Sequence, residues 1–315
     1  MSAGRFGMLF LSAAQQQIQG SSMRVTAIST LVLTMMLAGP VYAQTTGAIP
    51  AAAAPNCAQQ SNVLGISRTV EIDTTGGPGF GFEHFKVHDF LQPNEVVLTF
   101  DDGPWPVNTP AVLRALAAQC TKGTFFAIGK HSLWHPEILK QVAAQGHTVG
   151  THTWSHATLS KKSLAEGKDE IEKGISGVRM ALGAAPAPFF RFPSLAHPPE
   201  LVSYLGERNI GIFSTDMDSF DFKLRKSADM IKSVMTKVTK HGKGIILMHD
   251  FQRVTAEALP ELLNQLKAGG YKVVHLKPKE PVQTLAGYDE MIVKELKLPT
   301  VSSRPTASVV RTISE

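Results

Sequence analysis

Residues 95–120, EVVLTFDDGPWPVNTPAVLRALAAQC, predict a strand followed by a helix. The run Val96–Phe100 is short and apolar, which is typical of a strand that is covered on both faces. After it, Val112, Leu113 and Leu116 recur at the spacing of an amphipathic helix. A buried strand that leads into a helix is the repeating unit of parallel α/β folds.

The same alternation continues along the chain to residue 276. The predicted strands are 96–100, 124–128, 148–151, 189–192, 210–215, 245–248 and 271–276. The predicted helices are 110–120, 136–145, 163–182, 199–207, 228–239 and 256–267. Parallel strands joined by helices favour a closed or nearly closed β/α barrel, with a doubly wound open sheet as the alternative.

The first 43 residues have the layout of a secretory signal peptide. Arg24 gives a short basic start, Ala27–Ala38 is mostly apolar, and the sequence before the expected cleavage point ends on the small residue Ala43. Met23 is a second candidate for the initiator, and an uncleaved anchor is the alternative to cleavage. We therefore expect a periplasmic or secreted protein with no stable membrane span after cleavage.

The rest of the chain divides by composition. Residues 44–94 are expected to be a linker and N-terminal extension, 95–279 the barrel, and 280–315 a C-terminal tail. The two cysteines, Cys57 and Cys120, are candidates for a disulfide because disulfides persist outside the cytoplasm.

Composition excludes several classes of protein. Of the 315 residues, 43% are hydrophobic and 18% are charged, so the chain is globular rather than disordered. The net charge of +5 is mild and no basic run is present, so no nucleic-acid partner is indicated. Two cysteines are too few for a disulfide scaffold or a cysteine-rich zinc module. The sequence does not decide the oligomeric state.

Charged and imidazole side chains follow the ends of five predicted strands. In a parallel barrel these carboxyl ends form one face, where catalytic groups gather. The residues are Asp101 and Asp102, His152 and His156, Arg191, Asp216 with Asp218 and Asp221, and His249 with Asp250.

Three of these side chains are suited to a metal. Asp101 and Asp102 diverge on an extended chain, so one can bind a metal while the other faces the substrate. His152 and His156 share one face if their segment turns helically. Two histidines and one carboxylate form a typical catalytic metal set with open positions. By itself a His-x-x-x-His spacing is more often coincidence.

The remaining groups are suited to proton transfer. His249 is a candidate general acid, although alone it could be a capping histidine. Asp218 is a candidate to orient His249 and keep it protonated. Arg191 is expected to pair with Asp101, and a structural ion pair is its alternative role.

Five segments together resemble the NodB-homology polysaccharide deacetylases, carbohydrate esterase family 4, including chitooligosaccharide deacetylases. They are Thr99–Pro104 (TFDDGP), His152–His156 (HTWSH), Arg191–Pro193 (RFP), Asp218–Phe222 (DSFDF) and Ile246–His249 (ILMH). The resemblance implies a distorted (β/α)7 barrel and metal-dependent removal of acetyl groups from N-acetylglucosamine units of a chitin-type glycan or peptidoglycan.

The resemblance also implies a role for each residue. It makes Asp102, His152 and His156 the ligands of a divalent metal. Zn²⁺ is the expected ion, with Co²⁺ and Mn²⁺ as alternatives. It makes Asp101 the base and His249 the acid, and it pairs Arg191 with Asp101 and Asp218 with His249.

The chain departs from the family pattern where the substrate would lie. Ser194 stands in place of a tyrosine and Phe222 in place of a tryptophan, and with Pro193 they are the expected substrate-binding residues. These changes bear on the choice of acetylated glycan partner more than on the reaction. The alternatives are an O-acetyl esterase of the xylan type on the same scaffold and a non-catalytic glycan-binding barrel.

Overall fold

The computed structural model describes Cys57 and residues 60–297. In this part of the chain the strands are β1 Arg68–Ile72, β2 Gly79–Phe80, β3 Glu95–Asp101, β4 Thr124–Ala127, β5 Thr148–Thr151, β6 Phe189–Phe190, β7 Gly211–Phe213, β8 Met217–Asp218, β9 Gly244–His249 and β10 Lys272–Pro278. The helices are α1 Asn108–Ala118, α2 Gly129–Trp134, α3 Pro136–Ala144, α4 Leu164–Leu182, α5 Pro199–Glu207, α6 Ser227–His241, α7 Arg253–Ala268 and α8 Ala286–Lys297.

The strands form one sheet in which the paired strands are parallel. Its order is β1-β10-β3-β4-β5-β6-β7-β2, and β9 pairs with both β3 and β8. Most strands are followed by a helix, as the sequence predicts for the α/β barrel of the NodB type. Within residues 60–297, strand pairing does not connect β7 to β8.

Alternate residues of β3 and β9 face the core under the helices, and the residues between them face the opposite side of the sheet. Val96, Leu98 and Phe100 pack outward in a cluster that includes Leu113 and Leu262 of the covering helices. The intervening residues of β3 point to the opposite face, because successive side chains on a strand alternate. Asp101, the last residue of β3, therefore points away from the helices that cover the sheet.

The register of β3 and β9 brings two of the predicted site residues together. Asp101 is directly opposite His249, and Thr99 is opposite Leu247. Partners in register share a face of the sheet. The candidate base and candidate acid are thus neighbours at the carboxyl end of the sheet.

Local sequence explains where α4, the longest described helix, begins and ends. Helix α4 starts at a capping box in which Ser163 accepts from the backbone of Glu166, and the Glu166 side chain accepts from the backbone of Ser163. It ends at Gly183, whose φ of 75° is the left-handed cap conformation. The predicted range 163–182 agrees with the observed helix because both signals are local.

Several elements lie where the sequence analysis placed a linker and a tail. Strands β1 and β2 fall within 44–94, and α8 falls within 280–315, with Ile292 fully buried. Strand β1 has a weak pattern, because its residues before the buried Ile72 alternate between partly buried and exposed and its partner within the described residues, β10, is distant in the chain. Strands β2 and β8 have two residues each, which is too short for a periodic pattern.

Cys57 and Cys120 are joined in the structure, with their Cα atoms 5.6 Å apart. The bond links the N-terminal extension to the turn after α1. The expected signal peptide, its cleavage point and residues 298–315 lie outside the described residues. Among the described helices, none is both long and apolar enough to cross a membrane.

Candidate active site

A cleft of about 510 Å³ opens at the carboxyl ends of the strands. Asp101, Asp102, His152, His156 and His249 all line it. These residues come from the ends of β3, β5 and β9, so parallel topology collects side chains that are far apart in the sequence.

Asp102 and the two histidines form a compact cluster with the properties of a metal site. Asp102 Oδ1 lies 3.5 Å from His152 Nε2 and 3.4 Å from His156 Nε2. The three candidate ligand atoms lie within 4.8 Å of one another. Asp102 Oδ1 is buried and has no hydrogen-bond donor in the described structure. A buried carboxylate oxygen without a partner is costly, and a cation bound by these three atoms would remove that cost.

The protonation of His152 also suits a metal ligand. His152 Nδ1 lies 2.7 Å from the carbonyl oxygen of Arg191, so it is Nδ1 that carries the proton and donates it. This leaves the Nε2 lone pair facing Asp102. Burial, the largest effect, lowers the pKa of His152 and favours the neutral ring. Backbone carbonyls commonly orient metal-binding histidines in this way.

Left-handed backbone conformations, rather than a helical turn, bring these ligands together. Asp102 has φ 73°, Thr153 has φ 65° and His156 has φ 59°. The expectation that His152 and His156 share a helix face is therefore not met. Non-glycine residues in this region carry strain, and such residues cluster at functional sites.

Asp101 lies beside a buried arginine. Arg191 is fully buried, and its Nη1 donates to Asp101 Oδ1 at 2.7 Å and to Thr99 Oγ1 at 2.8 Å. Its other nitrogens donate to the carbonyls of Phe213 and Ser214. The guanidinium is thus held rigidly, and the two carboxylates diverge as the sequence predicts.

His249 pairs with Asp221 and not with Asp218. Its Nδ1 lies 2.6 Å from Asp221 Oδ1, and its backbone N–H donates to Asp221 Oδ2 at 2.7 Å. Asp218 instead accepts from the backbone of Phe220, which has φ 57°. That tight turn directs Asp221 inward, so the predicted pairing of Asp218 with His249 is wrong.

The pKa of His249 is raised to about 9. Burial is the largest single effect and lowers it, but the hydrogen bond and charge of Asp221 outweigh burial, helped by the charges of Asp102 and Asp101. The pKa above neutrality favours the cationic ring, in which Nε2–H can donate a proton into the cleft.

Two further side chains, the half-buried His131 and the buried Asp250, hold the loop that carries the two carboxylates. His131 Nδ1 donates to the carbonyl of Asp102 at 2.7 Å. Asp250 accepts from the backbone of Gly103 at 3.1 Å and from the hydroxyl of Thr109. The sequence analysis noted Asp250 only as a charged strand-end residue and did not identify His131, because their partners are distant in the chain.

Two of the three expected substrate-binding residues line the cleft. Ser194 and Phe222 line the cleft and are exposed, whereas Pro193 is buried and does not line it. Ser194 has φ 56°, within a single 3₁₀ turn. Phe220 also lines the cleft, with 38% of its surface exposed, so the cleft has an aromatic wall.

Comparison with known proteins agrees with this geometry. A family model described as polysaccharide deacetylase matches residues 91–210. The chain is 30% identical to the chitooligosaccharide deacetylase of Sinorhizobium fredii over 189 residues, covering 56% of this chain and 87% of that protein. The chain belongs to the polysaccharide deacetylase family. The NodB-type resemblance noted in the sequence is thereby confirmed.

Two further members of the deacetylase family are similar in sequence or structure. The chain is 35% identical to the peptidoglycan-N-acetylglucosamine deacetylase of Listeria monocytogenes over 182 residues, which cover 57% of this chain but only 37% of that protein. The solved peptidoglycan deacetylase of Bdellovibrio bacteriovorus has a TM-score of 0.63 at 34% identity, covering 71% of this chain and 62% of that one. The match to residues 91–210 includes the metal-site cluster but ends before Asp221 and His249.

Proposed function

We propose that the protein is a metal-dependent deacetylase that removes N-acetyl groups from N-acetylglucosamine units of a glycan. The observation that carries the proposal is the register of β3 and β9, which places Asp101 opposite His249 beside the cluster of Asp102, His152 and His156. A base, an acid and a metal site within one cleft are what amide hydrolysis requires.

Asp101 is the proposed general base. Arg191 binds its Oδ1, which fixes the carboxylate and leaves Oδ2 to accept a proton from the attacking water. A divalent metal held by Asp102, His152 and His156 supplies, when bound, a Lewis acid that polarises the acetyl carbonyl and lowers the pKa of water. Zn²⁺ is the proposed ion, with Co²⁺ and Mn²⁺ as alternatives.

His249 is the proposed general acid. Its Nδ1 is held by Asp221, so Nε2 is the nitrogen that faces the reaction. As the tetrahedral intermediate collapses, the carbon–nitrogen bond breaks and Nε2 gives its proton to the departing amine. The products are acetate and a free amino sugar. The family resemblance assigns stabilisation of the oxyanion to a backbone N–H, and Ser194 is the residue at that point of the motif.

The substrate we propose is peptidoglycan or a chitin-type oligosaccharide in the periplasm or outside the cell. The names of the Listeria and Sinorhizobium relatives support this class. The exposed rings of Phe220 and Phe222 in the cleft suit the apolar face of a sugar. An O-acetyl esterase and a non-catalytic binding barrel remain the alternatives to be tested.

Product analysis separates these three functions. Purified protein would be incubated with penta-N-acetylchitopentaose, peptidoglycan fragments and acetylated xylan, before and after chelation and after addition of Zn²⁺. We expect equal amounts of acetate and free amine from an N-acetylated substrate, abolished by the chelator and restored by the metal. Acetate from xylan without any amine release would indicate the esterase, and binding without acetate release would indicate the barrel.

A further inference from the structure

A segment that precedes the family-matching region contributes to the cleft. Strand β2 pairs with β7, and beyond it Ser214 N donates to the carbonyl of Phe80 at 2.7 Å. Glu83 N then donates to the carbonyl of Thr215 at 3.0 Å. The segment 79–85 therefore follows the chain between β7 and β8, where the sheet has no strand pairing within residues 60–297.

Two features fix this segment in place. Gly81 has φ 97°, and a Cβ there would lie 2.7 Å from Thr215 N, so the backbones approach closely where only glycine fits. Asp216 accepts from the backbone of Phe82 through Oδ1 and from that of Ile245 through Oδ2, each at 2.6 Å. One carboxylate thus ties the segment to β9.

Two polar side chains of this segment, Glu83 and His84, line the same cleft as the metal-site cluster. His84 Nδ1 lies 2.7 Å from Ser214 Oγ, and its ring lies 4.6 Å from that of His197. These contacts orient the imidazole and leave Nε2 without a hydrogen bond to any described residue. Glu83 is exposed and likewise has no side-chain hydrogen bond or ion pair in the described structure.

We propose that Glu83 and His84 form a sugar-binding edge that recognises the hydroxyl groups of the glycan and determines which acetylated substrates are accepted. A sugar presents an apolar face and a rim of hydroxyls, and the cleft offers aromatic rings together with this polar edge. A carboxylate accepts from hydroxyls, and an imidazole Nε2 accepts or donates. The edge precedes residues 91–210, the part of the chain that matches the family model. The inference rests on the proposed function for the identity of the ligand.

Five variants test the edge. Glu83→Gln and His84→Ala remove the proposed contacts. Glu71→Gln and His88→Ala make the same chemical changes at exposed positions that do not line the cleft. His84→Gln, whose amide can still form a hydrogen bond, should retain more affinity than His84→Ala. Thermal unfolding of each variant checks the fold.

The experiment compares activity on a substrate that contains sugar with activity on one that does not. Zn²⁺-loaded protein would be assayed on penta-N-acetylchitopentaose and on 4-nitrophenyl acetate, which carries an acetyl group without a sugar. Each edge variant should raise KM for the pentaose by about 2- to 10-fold and lower the ratio of kcat/KM for pentaose to ester, as expected for the loss of one hydrogen bond. The control variants should match the original protein.

The edge and the proposed function can fail separately. Unchanged KM and an unchanged ratio in both edge variants would overturn the edge and leave deacetylation standing. If the original protein releases no acetate, calorimetric titration with the pentaose shows whether the edge binds sugar. Binding that weakens in the edge variants supports the edge while the deacetylase proposal fails, and no binding by the original protein overturns both.

Discussion

Replacing Asp221 by asparagine tests the assignment of the acid and its partner. Asp221→Asn keeps the size of the side chain and removes its charge. Asp221 is 1% exposed, lies 2.6 Å from His249 Nδ1, and also accepts from the hydroxyl of Thr255 at 2.5 Å. The change removes the negative charge beside the imidazole, while the amide oxygen of asparagine can still accept from Thr255 and from the backbone of His249.

The size of the effect follows from the pKa of His249. Asp221 provides the largest of the contributions that raise this pKa to about 9 against the lowering effect of burial. Without that charge the pKa should fall to its ordinary value of about 6.5 or below. At about pH 8 the protonated fraction of His249 would drop from about 90% to about 3%, a loss of about 30-fold in the active acid form.

The assay is kcat/KM for acetate release from penta-N-acetylchitopentaose across the neutral and alkaline range. A general acid is active when protonated, so activity is lost as pH rises through its pKa. In Asp221→Asn this alkaline limb should move to lower pH. Asp218→Asn is the matched control and should shift the limb less. An unmoved limb in Asp221→Asn, or a larger shift in Asp218→Asn, would refute the reasoning.

Three further predictions concern stability and positioning. Arg191→Met leaves Asp101 buried without its partner and should lower the free energy of unfolding by about 3–5 kcal/mol in a denaturant titration; undiminished stability would argue against a buried ion pair. Cys57→Ser opens a link across 63 residues and should cost about 2–4 kcal/mol, while alkylation of the non-reduced original protein should find no free thiol; two alkylated cysteines would contradict the bond. Gly81→Ala should destabilise the protein by at least about 1 kcal/mol and weaken pentaose binding measured by calorimetry, because φ is 97° and the added Cβ meets Thr215; an unaffected affinity would separate the edge from this anchor.

The sequence predicted the parts of the site that local motifs carry. Asp101 ends the buried strand β3 and Asp102 follows it, and His152 and His156 follow β5, so the ends of predicted strands located all four residues. The partner of His249 was not predicted correctly. Asp218 and Asp221 are both near the strand end, and the choice between them depends on a left-handed turn at Phe220 that composition does not reveal.

The rest of the fold could not be predicted because it depends on distant pairing. Strand β2 has two residues, and its place is set by β7, more than 130 positions later in the chain. Glu83 and His84 therefore lie in the segment that was predicted to be a linker and N-terminal extension. Their position at the cleft follows from the close approach at Gly81 and the carboxylate of Asp216.

The most direct test of the account is to separate metal binding from proton transfer at the paired carboxylates. Asp101→Asn and His156→Ala would each be measured for bound Zn²⁺ by elemental analysis and for deacetylation of penta-N-acetylchitopentaose on the same preparation. We predict that Asp101→Asn keeps its metal and loses about 10²–10⁴-fold in rate, whereas His156→Ala loses metal and rate together. An Asp101→Asn protein that holds metal and deacetylates at the original rate would contradict the central claim.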